Sequence, residues 1–287
     1  MMAPSPNWSA WTGREEVRCD TLSAAPVQAL AASLNRGPAA LLTLPPLWHW
    51  LYFWPLAQQS ELGVDGHPQR GGFLPPIPLP RRMWAGGRLR FARPLALGAE
   101  VTRRSTILKV EERDGRSGPL VFVTVQHEIS DAHGVAIAEE QDIVYRDAPV
   151  PGAPAPAPRL TSEAADFSRP VVPDPVLLFR YSALTFNGHR IHYDRPYAMN
   201  EEGYPGLVVH GPLTASLLME LLQQQCPDQL VRHFDFRGVA PLFAPGRFLV
   251  CGKHLGGNQY RLWAQAESGA IAMEASAGLG EVAAGHG

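Results

Sequence analysis

The segment YSALTFNGHRIHYDRPYA, residues 181–198, concentrates side chains that can take part in acid/base chemistry. His189 and His192 lie three positions apart, Asn187 precedes them, and Asp194 follows them. Histidine titrates near neutral pH and therefore serves as a general acid or base. An asparagine amide cannot take a proton from water, but it can hold a water molecule by hydrogen bonds. The spacing leaves three interpretations: turn chemistry, metal ligation or an acid/base site.

Each of these side chains also has an ordinary structural role. Asn187 stands before a glycine, which is a common turn signal, and Asp194 can cap the turn that follows it. A lone histidine is often a structural residue. His189, His192 and Asp194 match a rough metal-ligand spacing, but they lack the i, i+4 pair of a helical zinc site. We therefore expect no metal here.

An apolar helix is predicted shortly after this segment. In GPLTASLLMELLQQQ, residues 211–225, leucines recur at helical spacing and form a wide apolar face. Pro212 suits the first helical turn. The free N–H groups of a first turn stabilise negative charge on an oxygen, and Gly211 would let a carbonyl approach its backbone closely. His210, directly before the helix, is expected to support such a site.

The chain divides into two similar halves. APVPGAPAPAPR, residues 148–159, has no apolar periodicity and predicts a stiff, extended linker between residues 1–147 and residues 160–287. Each half carries a short strand, a Pro-Leu bend, a glycine and three runs of β-type alternation. The corresponding positions are Phe91, Pro94, Leu95 and Gly98 in the first half and Phe236, Pro241, Leu242 and Gly246 in the second. The repeat predicts a duplicated antiparallel sheet.

Each sheet needs an apolar cover, so we expect an α+β architecture in which each sheet wraps around a central helix. Residues 211–225 supply that helix in the second half. The first half offers LAASLNRG, residues 30–37, and LWHWLYFWPLAQQS, residues 47–60, with a poorer helical pattern. We therefore interpret the first half as a degenerate copy that shapes a pocket.

The residues around "IHYD", "YA" and "VHG" resemble the motif of the MaoC-like hydratases and dehydratases, F-x-G-D-x-N-P-I-H-x-D followed by a helix-opening "HG". The resemblance implies a hotdog fold. The chain departs from the motif where Asn187 occupies the position of the family's catalytic Asp and His189 that of its Asn. RYSALTFNGHRIHYD, residues 180–194, is similar to a double-hotdog subgroup typified by mesaconyl-C4-CoA and itaconyl-CoA hydratases and by mitochondrial hydroxyacyl-thioester dehydratases.

The resemblance implies a hydro-lyase that adds or removes water across the double bond of a short branched or dicarboxylic enoyl-CoA. His192 would be its acid/base, Asn187 would position water, and the Gly211 N–H would stabilise the thioester enolate. The expected supporting residues are His189, Asp194 and His210. Two other activities stay open: a hotdog acyl-CoA thioesterase and a non-catalytic module that binds acyl thioesters.

A dicarboxylic acyl group brings a free carboxylate, which is costly to bury unless a cation pairs with it. Arg180 and Arg190 flank the motif and are the predicted substrate-binding cations. The coenzyme A thioester is expected as the substrate, and no separate cofactor is expected.

The composition argues against other classes of partner. Net charge is 25 − 27 = −2, so no basic excess points to nucleic acid. LLTLPPLWHWLYFWPLA, residues 41–57, is too short and too interrupted by proline to span a bilayer. No signal-peptide pattern is present at the N-terminus, so we expect a cytoplasmic protein. Sheet edges in such folds are usually paired, which leaves both a monomer and a homodimer open.

Overall fold

A computed structural model describes residues 8–37, 41–115, 118–148 and 157–281. Most of the predicted linker, residues 149–156, lies outside these ranges, so the proposed domain boundaries stay a prediction. The described residues form an antiparallel β-structure with four α-helices, as expected for an α+β protein. No helix in these ranges is long and apolar enough to cross a membrane.

The first half contributes five strands and one α-helix to the described structure. The strands are β1 (Glu15–Thr21), β2 (Arg81–Phe91), β3 (Glu100–Gly115), β4 (Gly118–Asp131) and β5 (Gly134–Arg146), and the helix is α1 (Ala24–Ser33). Short 3-10 turns cover Trp8–Trp11, Trp48–Leu51 and Gln59–Glu61.

The second half repeats this plan and adds the helices that matter for the site. Its strands are β6 (Phe167–Val171), β7 (Leu207–Val208), β8 (Gln229–Gly238), β9 (Phe243–Ala244), β10 (Phe248–Gly256), β11 (Gln259–Ala266) and β12 (Ile271–Glu281). Its helices are α2 (Pro175–Leu184), α3 (Arg195–Asn200) and α4 (Gly211–Gln225), with a 3-10 turn at Arg190–His192.

The two halves have the same strand order. The first runs β1-β3-β4-β5-β2 and the second runs β6-β10-β11-β12-β8, which confirms the duplicated antiparallel sheet. The sequence predicts two separate sheets, but the structure has one sheet of ten strands. Strands β2 and β8 pair from Gly86↔Arg237 to Arg90↔His233 and so join the two halves. The reason is that β2 and β8 would otherwise be unpaired edge strands.

Helix α4 is the buried centre of the second half, as predicted. Every residue from Leu213 to Leu222 is buried, and the helix packs against β8, β10, β11 and β12. A fully buried leucine contributes about 1.5–3 kcal/mol, so this helix is held by its packing. Its one buried acid, Glu220, binds Arg36 Nε at 2.6 Å and Arg169 Nη2 at 2.8 Å. Arg36 belongs to the first half, so this cluster also links the halves.

The first half lacks a helix as long as α4 within the described ranges, so it is the degenerate copy. Helix α1 begins six residues before the predicted piece, and residues 47–60 form only the Trp48–Leu51 turn and the start of a second turn. Leu47 and Phe53 have positive φ values of 71° and 58°, which a continuous helix does not permit. The aromatic side chains at 48, 52 and 53 are buried instead and fill the core.

Candidate active site

Helix α2 leads the chain into the polar segment. Asp174 caps its first turn by accepting hydrogen bonds from the N–H groups of Val176 and Leu177. After the helix, Phe186 adopts a positive φ of 50°, and the Asn187 N–H donates to the carbonyl of Ser182 at 2.8 Å. Asn187 Oδ1 accepts from the N–H of residue 189 at 3.0 Å. The side chain of Asn187 therefore does form a turn, and its amide nitrogen is not used in that turn.

His192 is buried on the 3-10 turn that follows. Its Nδ1 lies 2.7 Å from the carbonyl oxygen of Val208, and a carbonyl can only accept, so Nδ1 carries the proton. Nε2 of the neutral ring therefore has a free lone pair. Burial lowers the pKa of His192 to about 4, opposed by the bond to Val208. The ring is neutral at pH 7, and any proton that it takes up is readily given on.

His210 stacks on His192 with ring centroids 3.7 Å apart. Its Nε2 lies 2.8 Å from Ser182 Oγ on α2. Its Nδ1 is buried without a hydrogen-bond partner among the described residues. Burial, with the charges of His192 and His189, lowers the pKa of His210 well below its ordinary value. His210 thus fixes one face of the His192 ring without adding charge.

Gly211 is the first residue of α4, and its neighbour Pro212 has no N–H. N–H groups in a first helical turn have no acceptor inside the helix. A Cβ built on Gly211 would meet nothing within 4 Å, so the space beside this peptide is open. The helix dipole favours negative charge at this end. An oxygen that develops negative charge can be held here.

The sequence analysis missed two residues of the first half that reach this site. The ring of His67 lies 4.1 Å from that of His189, which in turn lies 5.4 Å from that of His192. His67 Nδ1 is 3.1 Å from Asp65 Oδ2. In the sequence, His67 is a single histidine in the glycine-containing stretch VDGHPQRGG, residues 64–72. No motif in this stretch indicates a functional site.

The pKa values of these groups follow from burial and from their mutual contacts. Burial lowers the pKa of His67, and the hydrogen bond to Asp65 opposes that shift. Burial raises the pKa of Asp65, but the hydrogen bonds and charge of His67 outweigh it and hold the pKa below its ordinary value. Burial and the charges of His67 and His192 lower the pKa of His189 to about 2. At neutral pH the site therefore holds one carboxylate and neutral rings.

Arg190 and Asp194 hold the loops together, and Asp194 caps the turn that follows it, one of the two roles considered for it from the sequence. Arg190 Nη2 pairs with Asp194 Oδ2 at 2.7 Å, and its Nη1 donates to the carbonyl of Val64 at 3.0 Å. Asp194 Oδ1 caps α3 by accepting from the Tyr197 N–H at 3.1 Å. The guanidinium of Arg190 is thus already paired, because a carboxylate stands four residues further on and a neighbouring loop supplies a carbonyl.

The other predicted substrate cation, Arg180, is exposed on α2, whereas Tyr181 and Ser182 of that helix are buried. Arg82 on β2 is a cation close enough to the rings for its charge to lower the pKa of both His67 and His189. Among the described residues no carboxylate lies within ion-pair distance of Arg82.

The metal set considered from the sequence does not form, since Asp194 is used in capping and pairing with Arg190. A different group, Asp65, His67 and His189, has one ligand atom from each residue within 4.8 Å of the others. The carboxylate of Asp65 is already hydrogen-bonded to the His67 ring and to its N–H at 3.0 Å. These bonds suit a positioned imidazole, and we interpret the group as acid/base residues.

The sequence model of one protein family matches most of this chain. The hydroxyacyl-thioester dehydratase type 2 family matches residues 47–244, a range that contains both the first-half and the second-half site residues. The chain belongs to this family. Membership in the hydroxyacyl-thioester dehydratase type 2 family makes it an enzyme of the hydratase and dehydratase type, as the resemblance implied.

Two curated proteins are similar to this chain over most of their own length. Mesaconyl-C(4)-CoA hydratase of Chloroflexus aurantiacus is 53% identical over 96% of this chain and 99% of the relative. Mitochondrial hydroxyacyl-thioester dehydratase type 2 of Schizosaccharomyces pombe is 30% identical over 81% of this chain and 88% of the relative.

Solved structures confirm the fold of this hydroxyacyl-thioester dehydratase type 2 family member. A MaoC-like dehydratase from Phytophthora capsici superposes with a TM-score of 0.71 at 14% identity, covering 95% of this chain and 97% of that one. A Mycobacterium tuberculosis protein described as having a double hotdog fold gives 0.53 at 16% identity, covering 94% and 96%. The predicted double hotdog is therefore correct.

Proposed function

We propose that this chain adds water to, or removes it from, the double bond of a short enoyl-CoA that carries a second carboxylate. The observation that carries the proposal is the buried His192 ring, whose Nε2 holds a lone pair and which stacks on His210, the residue directly before the first residue of α4, Gly211. Mesaconyl-C4-CoA is the first substrate to test, because the relative from Chloroflexus aurantiacus hydrates it by name. Itaconyl-CoA is the alternative acyl group.

The chemistry requires a base, an acid and a site for the enolate oxygen. Water attacks the β-carbon, one proton leaves the water, one proton reaches the α-carbon, and charge builds on the thioester oxygen. The Gly211 N–H would donate to that oxygen, and losing such a donor costs roughly 10²–10³ in rate. His192 would be the acid/base, worth roughly 10²–10⁴. Asn187 would hold the water through its amide nitrogen.

Recognition of the free carboxylate falls to Arg82 in this proposal. In mesaconyl-C4-CoA the carboxylate is attached to the β-carbon, so it must lie near the groups that handle the water. Arg82 acts electrostatically on His67 and His189, whereas Arg190 is already paired. A guanidinium can bind a carboxylate through two parallel hydrogen bonds. We therefore assign the carboxylate to Arg82 in place of Arg180 and Arg190.

The proposed reaction needs no cofactor beyond the coenzyme A of the substrate. Both halves of one chain contribute residues, so a second copy is not required for the chemistry. A homodimer stays a prediction based on the free edges of β1 and β6.

The test follows the loss of enoyl-thioester absorbance with mesaconyl-C4-CoA, itaconyl-CoA, methylcrotonyl-CoA and crotonyl-CoA. We expect turnover of a dicarboxylic substrate and a loss of roughly 10²–10⁴ in kcat for His192→Ala. His133→Ala, at an exposed turn of the first half, is the matched control and should keep full activity. Release of free thiol in place of hydration would show a thioesterase, and binding without turnover would show a binding module.

A further inference from the structure

We propose that His67, held by Asp65, is a second acid/base residue of this reaction and takes the proton from the attacking water. This inference rests on the proposed function above. It assigns a catalytic role to the first half, whose loop at residues 61–70 (the 61–70 loop) carries both residues.

The need for a second group follows from the second-half segment. Hydration involves two proton transfers, one from water and one to the α-carbon. Asn187 stands at the position of the family's catalytic Asp and cannot accept a proton. His192 alone would have to serve both the water and the α-carbon. The 61–70 loop brings a carboxylate–imidazole pair to the same cluster of rings.

The Asp65–His67 pair is built like an activated base. Asp65 Oδ2 accepts from His67 Nδ1 at 3.1 Å, which fixes the tautomer and leaves the lone pair on Nε2. A carboxylate beside the ring stabilises the imidazolium that forms when the ring takes a proton. His192 has only the neutral carbonyl of Val208 at its Nδ1. His67 is therefore the better base for water, and His192 the better group to hand the proton on.

The position of the loop is fixed by its own bonds and by contacts with the second half. The Gly63 N–H donates to the carbonyl of His67 at 2.7 Å, and Asp65 Oδ1 accepts from the His67 N–H. The Arg190 N–H donates to the carbonyl of Asp65 at 2.9 Å. These bonds lock the peptide on both sides of the pair, so His67 is held against His189.

The order of rings also suggests which end of the substrate each base serves. His192 stacks on His210, directly before Gly211. If the Gly211 N–H holds the thioester oxygen, His192 is the ring that serves the adjacent α-carbon. His67 lies two rings away, past His189, and the proposal assigns it to the β-carbon and to the water that attacks it.

The proton balance closes within the cluster. His67 Nε2 takes one proton from water while the oxygen bonds to the β-carbon and the double-bond electrons move to the thioester oxygen. That proton, or an equivalent one exchanged with water, reaches His192, and His192 Nε2 gives it to the α-carbon. All rings end neutral, and the net reaction is addition of one water. Dehydration runs through the same steps in reverse.

The first experiment is the His67→Gln variant in the full chain, assayed with mesaconyl-C4-CoA. Glutamine keeps a donor for Asp65 but cannot accept a proton. We expect kcat to fall by roughly 10²–10⁴ with KM changed by less than about tenfold. His133→Gln, an exposed histidine of the same half, is the matched control and should behave as wild type.

Deuterium exchange separates the two histidines. The hydrated product is incubated in D₂O, and α-deuterium incorporation and dehydration are followed by mass spectrometry. In His67→Gln we expect exchange within about tenfold of wild type while dehydration falls by at least about 10². In His192→Ala both should be lost. Equal loss of both in His67→Gln would overturn the assignment of His67 to water.

Asp65 acts through His67 and is a positioning residue, so its test is the pH profile. The carboxylate raises the pKa of the His67 ring, and Asp65→Asn removes that effect. In the profile of kcat against pH, the loss of activity on the acidic side, the acid limb, is assigned to protonation of His67. In Asp65→Asn this loss should move to lower pH, and the maximal kcat should fall by roughly 10–10². A drop in melting temperature with an unmoved acid limb would show a structural role only.

The outcomes distinguish this inference from the proposed function. A wild-type chain inactive on every enoyl-CoA defeats the proposed function. An active wild type with His67→Gln within about threefold of its kcat defeats the role of His67 alone. Stoichiometric metal in the wild-type protein that is absent from His67→Gln would make Asp65, His67 and His189 ligands and would also overturn the inference.

Discussion

Gly66 and Gly188 face each other backbone to backbone where the first half meets the site. A Cβ built on Gly66 would lie 1.9 Å from the Gly188 carbonyl oxygen, and one on Gly188 would lie 2.6 Å from the Gly66 carbonyl oxygen. Gly66 also has a φ of +85°, which glycine adopts without strain. The contact leaves no room for a side chain at either position, so it sets how close His67 comes to His189.

Gly188→Ala is therefore expected to push the 61–70 loop away from the site. The added methyl group meets backbone, which cannot move aside as a side chain would, and such overpacking typically costs about 1–3 kcal/mol. We expect a lower free energy of unfolding and a kcat reduced by at least about tenfold, because a misplaced catalytic group costs up to 10² in rate. Gly72→Ala is the control, since a Cβ there meets nothing within 4 Å. Equal activity of both variants would contradict the role given to this contact.

The second-half part of the site could be predicted from the sequence because it is contiguous. Residues 186–211 carry His189, His192, His210 and Gly211 on one short stretch, and the leucine pattern of α4 places its first turn beside them. The duplication could be predicted as well, since strand alternation repeats in both halves. These signals are local, and local patterns are what a sequence displays directly.

The first-half part could not be predicted, because it depends on contacts between distant segments. Asp65 and His67 show no helical or strand periodicity, and only the close approach of Gly66 to Gly188 brings them to His189. The joining of the two sheets through β2 and β8 is likewise a tertiary event.

Arg190, a predicted substrate-binding residue, makes structural contacts in this fold. It pairs with Asp194 at the i, i+4 spacing and lies over the Tyr197 ring at 4.1 Å. The i, i+4 spacing was visible in the sequence and is a known pairing distance. The hydrogen bond from Arg190 to Val64 was not visible, because Val64 lies in the other half.

Protonation of His192 should couple the stability of the protein to pH. Burial lowers its pKa from 6.5 to about 4 in the folded state, so between these values the unfolded chain binds more protons. Stability is then full above about pH 6.5 and falls as the pH drops toward 4, by about 3 kcal/mol for this residue. Denaturant unfolding across pH 4–7 measures the slope. His192→Asn should reduce this slope by the equivalent of about one bound proton, and His133→Asn should leave it unchanged.

Arg82→Met should weaken binding of substrates that carry the second carboxylate. Hydrogen bonds to a charged group are worth about 1.5–3 kcal/mol, so KM for mesaconyl-C4-CoA should rise by roughly 10–10². KM for crotonyl-CoA, which lacks that carboxylate, should change little. Arg180→Met, at an exposed position of α2, is the control for loss of positive charge. An equal effect of Arg82→Met on both substrates would remove the carboxylate assignment, and an effect of Arg180→Met alone would restore the prediction made from the sequence.

The Gly211 N–H can be tested by a pair of substitutions that separate the donor from the space around it. Gly211→Pro removes the N–H, and proline is accepted at the first helical position, where His210 already has the extended backbone that precedes a proline. Gly211→Ala keeps the N–H and adds a Cβ into open space. If the N–H holds the enolate oxygen, Gly211→Pro should lose roughly 10²–10³ more in kcat than Gly211→Ala. Both should fold, as melting temperature and circular dichroism would verify. Equal kcat in the two variants would show that the backbone donor is not used, and the thioester oxygen would then need another partner.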